Sequence, residues 1–173
     1  MPMKKLTDLS DIAAESECRR LLIVVNARRK RDNAWFNYDE APIVYDDDSA
    51  FVVGMKSLFR YARGESIPPF VVRDYLSQLL DLLFAGIASG ALALPSFRKM
   101  GDRPWAHAWR RAEIRMAFET DDPMPVSQMA HLLGISVDDL RTQIATSTDG
   151  AFEGDIVPRA FLDRWLCNAG DDG

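Results

Sequence analysis

Cysteine and histidine are scarce, with two of each among 173 residues. Cys18 and Cys167 stand far apart, without CxxC spacing and without a neighbouring histidine pair, so no zinc site of the usual spacing can be assembled. A disulfide between them would need an oxidising compartment, and the first residues, MPMKKLTDLSDIAAE, hold no apolar core of the secretory kind. Free structural thiols in a reducing, cytoplasmic setting are therefore expected. Long apolar runs are also missing. The longest, LLFAGIASGALAL at residues 82–94, has 13 residues against the roughly 18 to 20 of a bilayer span, so it reads as the buried end of a core helix. No membrane partner is expected. Repeats, low-complexity segments and glycine-rich phosphate loops are absent, and His107 and His131 sit in no recognisable catalytic setting. An enzyme, a cofactor and a bound metal are accordingly not expected.

The residues that are present describe an ordinary globular chain, 47% hydrophobic and 27% charged, long enough to bury a core without staples. Its net charge of −5 is unevenly spread. Residues 119–173 hold three arginines against eleven carboxylates, a net −8, which leaves +3 for residues 1–118. The sign changes at DDPMP, residues 121–125, where a turn or linker is expected, so the chain divides into a helical domain at 1–120 and a smaller unit at 121–173.

Within the larger part, residues 9–20 carry a modest helical period with Asp8 or Ser10 as cap, and LLIVV at 21–25 fits either a buried strand or the tail of that helix. Trp35, Phe36, Tyr38 and PIVY around Pro42 suggest loops with one or two short strands. Asp46, Asp47 and Asp48 lack the alternating ligands and closing Glu of a calcium loop and read as a turn whose Asp48 or Ser49 caps the next helix. That helix covers residues 51–63 and stops at Gly64. A second, at about 69–88, opens on Pro69 and has the broadest apolar stripe, which predicts the central helix of the core.

Two basic clusters follow: Arg28, Arg29, Lys30 and Arg31, then Arg98, Lys99, Arg103, Arg110, Arg111 and Arg115 interleaved with Phe97, Trp105, His107 and Trp109. Arginines among aromatics have the composition of a single-strand-binding surface. Trp105, Trp109, Ala112 and Met116 nevertheless recur at helical spacing, which favours a core face on a helix at 104–118 with the arginines on its wet side.

The most specific segment is VSQMAHLLGISVDDLRTQIA at residues 126–145. Ala130 is small where two helices would approach closely, Gly134 suits a left-handed turn, and Met129, Leu133, Ile135, Val137, Leu140 and Ile144 supply the packing between them. Ser127 is placed to cap the first helix and Ser136 the second. TSTDGAFEGDIVPRAFLDRWL follows at 146–166, with Asp149-Gly150 and Glu153-Gly154 as turns of a short hairpin and a closing helix at 158–166 that turns Phe161, Leu162 and Trp165 inward. These residues resemble the helix-turn-helix of bacterial and phage repressors, and the whole order resembles the small winged-helix domains of the excisionase type.

The resemblance implies a mainly α protein whose C-terminal subdomain is a winged-helix-like helix-turn-helix. It also implies a regulator of transcription that binds double-stranded DNA, with a homodimer expected. The second helix of such a unit enters the major groove. By position, Arg141 would read guanine, Ser136 and Thr142 would hold phosphate or base edges, Ser127 and Gln128 would touch the backbone, and Arg159 would grip a phosphate. Asp138 and Asp139 depart from the Lys and Arg that phosphate contacts require. They suit a second reading, an antitoxin, immunity or adaptor protein whose acidic C-terminal surface meets a basic partner protein.

Overall fold

The computed structural model describes residues 8–36, 41–84, 103–147 and 151–168, and the fold in them is mainly helical. Seven helices occur among the described residues: α1 (Asp11–Phe36), α2 (Ala50–Arg63), α3 (Pro69–Phe84), α4 (Pro104–Glu119), α5 (Val126–Leu133), α6 (Val137–Ser147) and α7 (Arg159–Asn168). None of them is long and apolar enough to cross a membrane. The apolar run at 82–94, the basic pair Arg98 and Lys99, and the turn at Asp149-Gly150 fall wholly or mostly outside the described residues, as do the side chains of Arg28 and Arg31.

Ser10 starts α1 by accepting from the Ala13 amide at 3.2 Å. The LLIVV run lies in the middle of this 26-residue helix, because the buried residues Ala14, Cys18, Leu21, Leu22 and Val25 follow a helical period while Ile23 and Val24 face outward. No strand occurs among the described residues, so the short N-terminal strands expected from PIVY are not found there. The reason is a side chain from another part of the chain. The Asn26 side chain accepts from the Ile43 amide and donates to the Ile43 carbonyl, both at 2.8 Å, so one amide on α1 takes the place of a neighbouring strand. Arg19 stacks over Tyr45, 3.6 Å from the ring centre, and holds the next turn of this extended segment against the same helix.

The three aspartates form a turn, with Asp46 accepting from the Asp48 amide at 3.0 Å, and Ser49 caps α2 through the Val52 amide. Gly64 ends α2 at φ 113°, a conformation that side chains resist. Among the described residues, no group of three or more His, Cys, Asp or Glu side chains converges as a metal site would require. Cys18 is buried, and desolvation pushes its thiol up to about 12, whereas Cys167 is exposed and so departs from the expected buried thiol.

Val72, Tyr75, Leu76 and Leu79, the stripe residues of α3 with described side chains, are all buried as expected, and among the described residues the helix with the widest set of neighbours is α4. It touches α1, α2, α3, α5 and α7, and it is buried around most of its circumference, from Trp105, Ala106 and Ala108 through Trp109 and Ala112 to Ile114 and Met116. Its alanines are small enough for neighbours to close in on several sides, which a stripe of large leucines on one side does not allow. The arginines expected on the wet side of this helix are buried as well. Arg110 is 7% and Arg111 9% exposed; Arg110 Nε donates back to the Ala106 carbonyl at 3.1 Å, and Arg111 Nη2 reaches the Leu166 carbonyl of α7 at 3.3 Å. Their stems pack as apolar chain while their heads bond to carbonyls. A single cluster of buried side chains, from Leu9 to Leu162, runs through the charge reversal at residue 121 without a break.

Glu113 is another charged group that α4 draws inward. Burial raises its pKa above the usual 4.5, and the Trp109 indole N–H, donating at 3.1 Å, offsets only part of that. The folded state therefore holds the Glu113 proton more tightly than the unfolded chain, and this group's contribution to stability falls as pH rises above about 4.5. Glu113→Gln keeps an acceptor for Trp109 and removes the charge. It is expected to raise the thermal midpoint at pH 7 and to leave it unchanged at pH 4; an unchanged midpoint at both would show that Glu113 is well solvated.

Candidate nucleic-acid interface

The chain enters α5 through Pro125, whose flanking residues pair with the segment before α7. The Val126 amide donates to the Asp155 carbonyl and the Val157 amide to the Met124 carbonyl, both at 2.9 Å, making one antiparallel bridge between Pro125 and Ile156. The first orphan amide of α5 is thereby satisfied by backbone. Ser127 consequently does not cap the helix as expected; the N-cap is Pro125, and Ser127 lies exposed in the first turn beside the exposed Gln128.

Met129, Ala130 and Leu132 turn into the core, and α5 stops at Gly134 with φ 69° and ψ 27°. The Ile135 amide then bonds to the Ala130 carbonyl at 3.1 Å, a closure that needs the left-handed residue glycine supplies. Ser136 caps α6 as expected, its hydroxyl accepting from the Asp139 amide at 3.0 Å. Leu140 and Ile144 are fully buried, so the opposite face of α6 is open and carries Ser136, Asp138, Asp139, Thr142, Gln143 and Thr146. The Thr142 hydroxyl donates to the Asp138 carbonyl at 2.8 Å, which leaves its oxygen free to accept.

No family model, curated protein or solved structure matches this chain.

Of the six positions singled out, Ser127, Gln128, Ser136, Thr142 and Arg159 are exposed and Arg141 is half-buried. Ser136, Arg141 and Thr142 share the first turns of α6, Ser127 and Gln128 start α5, and Arg159 starts α7; no hydrogen bond or ion pair joins any two of them. Both arginines are instead engaged by carboxylates. Arg141 Nη2 lies 3.2 Å from Asp155 Oδ1, and its Nε is buried without a hydrogen-bond partner among the described residues. Arg159 pairs with Asp121 and stacks over Phe118, 4.4 Å from the ring centre. Arg164, in the middle of the closing helix, donates to the Ser147 carbonyl at 2.6 Å and ties α7 to the end of α6.

Asp121 and Asp155 are the residues that motif reading missed. Asp121 adopts φ 57° just past the end of α4, with the Asp122 amide bonded to the Ala117 carbonyl at 3.0 Å, a place where glycine is the usual occupant. The available signal was the excess of carboxylates over arginines in residues 119–173. In the expected hairpin region, residues 151–157 show no strand, and the bridge to Pro125 is their pairing among the described residues.

Proposed function

We propose that residues 121–168 form a helix-turn-helix that reads double-stranded DNA, with α6 as the helix that enters the major groove. The observation that carries this reading is the junction of α5 and α6. Gly134 in the left-handed conformation and the Ser136 cap fix two short helices against a shared core while the outer face of α6 stays open from its first turn. An α-helix presented in this way has the dimensions of the major groove. Ser136 and Thr142 supply hydroxyls, Arg141 a guanidinium fork suited to guanine, and Arg159 a phosphate contact from α7. The winged-helix description belongs to this proposal, with the 151–157 segment in the position of the wing, as does the homodimer that a two-half-site operator would require.

Fluorescence anisotropy of the purified protein on mixed-sequence duplex DNA tests the proposal. Binding that weakens steeply between low and physiological salt is expected, and Arg141→Ala should weaken binding to a selected operator by roughly tenfold to a hundredfold, the size of one bidentate base contact. Absence of binding at low salt would overturn it.

A second reading is favoured by the exposure of Asp121, Asp122, Asp138, Asp139, Glu153, Asp155 and Asp163 around the same unit. Such a surface suits a cationic protein. This reading expects a stable complex with a basic protein and indifference to DNA at every salt concentration.

A further inference from the structure

Three arginines serve the C-terminal acidic stretch, and each is already engaged within the molecule: Arg164 by a backbone carbonyl, Arg141 by Asp155 and Arg159 by Asp121. The last two are the arginines that the DNA reading needs. We propose that Asp121 and Asp155 are intramolecular competitors of phosphate, carboxylates that occupy these arginines and hold down affinity for DNA that the protein does not select, on which Arg141 has no guanine to read and can meet only phosphate, as Arg159 does. The inference rests on the DNA reading above and deepens it.

Three observations carry the assignment. First, neither carboxylate is buried in the fold, since the Asp155 side chain is 93% and the Asp121 side chain 84% exposed, so packing does not explain the presence of a charge at either place. Second, the two pairs are alike. In each, a carboxylate from a loop faces an arginine on the first turns of a helix, and in each the arginine stays 37% or more exposed, so an incoming anion can reach it. Third, Asp121 stands at a helix end where the left-handed backbone favours glycine, and the chain carries a charge there instead. Surface pairs of this exposure are weak. They lower affinity without abolishing it: on non-selected DNA the two arginines stay with their carboxylates while the other contacts bind, and only the added contacts of a selected site displace them. Arg159 has a second anchor in Phe118, so it keeps its position when Asp121 lets go.

The test compares two double variants of the full chain on the same mixed-sequence duplex. Asp121→Asn with Asp155→Asn removes both competitors, and asparagine tolerates the left-handed backbone at 121. Glu153→Gln with Asp163→Asn removes two exposed charges from the same unit, neither of them paired to an arginine among the described residues. The first variant is expected to bind about tenfold more tightly than the native chain, and its salt dependence should steepen by nearly two in the slope of log K against log salt, about 0.9 for each arginine released to phosphate. The second should gain no more than about threefold from reduced general repulsion, with the slope unchanged. Adding Arg141→Ala and Arg159→Ala to the first variant should erase its gain.

Equal gains in the two double variants, or no gain in the first, would overturn the competitor role while leaving DNA binding intact. Absence of binding by the native chain and by every variant at low salt would overturn the DNA reading itself.

Discussion

Trp109→Ala is expected to lower the stability of the chain by about 4 kcal/mol, near the top of what a single core truncation costs. Trp109 is 1% exposed on α4, the helix that five others pack against, and a helix held on several sides cannot move to fill the space left behind. At this chain length the loss corresponds to a fall of roughly 10 °C in thermal midpoint. It is a large share of the 5–15 kcal/mol that typically holds a domain folded. The substitution also removes the indole N–H from Glu113, whose carboxyl burial already pushes upward. The extra cost therefore depends on pH: above the usual carboxylate range a bare charge stays buried, and near pH 4 the acid is neutral. Trp109→Phe separates the two parts, retaining most of the apolar volume while losing the donor. Its deficit should be small at pH 4 and larger at pH 7, measured by chemical denaturation at both. A Trp109→Ala loss below 1 kcal/mol would mean that α4 is free to move into the space left behind.

The same helix shows where sequence reading stops. Expectation and structure agree closely where a local signal is chemically definite: the helix expected at 51–63 is found at Ala50–Arg63, between a serine cap and a glycine stop, and Pro69 and Pro104 each open a helix as their missing N–H allows. The burial of the arginines on α4 was not legible: a charged residue at a helical position reads as a wet face, yet Arg110 and Arg111 are buried because alanines let neighbours approach and arginine stems pack like hydrocarbon. Likewise, LLIVV and PIVY have the composition of strands, and only the Asn26 side chain, distant in sequence from Ile43, shows why the second stays extended without a sheet.

At the candidate interface, motif reading found the exposed positions and the Gly134 turn but not the partners of the arginines. Asp155 lies 14 residues from Arg141 and Asp121 lies 38 from Arg159, separations at which no periodicity links one side chain to another. The expected Ser127 cap failed for a related reason. A backbone carbonyl from residue 155 reaches the start of α5, and no local pattern announces it.

Gly54→Ala tests a close approach of α2 and α3. On an isolated helix, alanine would be preferred to glycine by about 1 kcal/mol. Here a Cβ on residue 54 would lie 2.0 and 2.3 Å from two carbons of the Tyr75 ring, well inside contact distance. The ring cannot swing aside cheaply, since Tyr75 is 8% exposed and its hydroxyl donates to the Phe51 carbonyl at 3.0 Å, which pins α3 to the start of α2. Overpacking of this kind costs roughly 3 kcal/mol, so it outweighs the propensity gain and a net loss of about 2 kcal/mol is expected. The thermal midpoint should fall by roughly 4–8 °C. The cause is checked by combining the change with Tyr75→Leu, which is itself destabilising but removes the ring that the methyl would meet. If α2 and α3 approach as closely as the structure has them, Gly54→Ala costs less in the Tyr75→Leu background, and the two changes couple by 1 kcal/mol or more. A stabilising Gly54→Ala in the native background would mean that the helices stand farther apart, with the glycine serving no packing purpose.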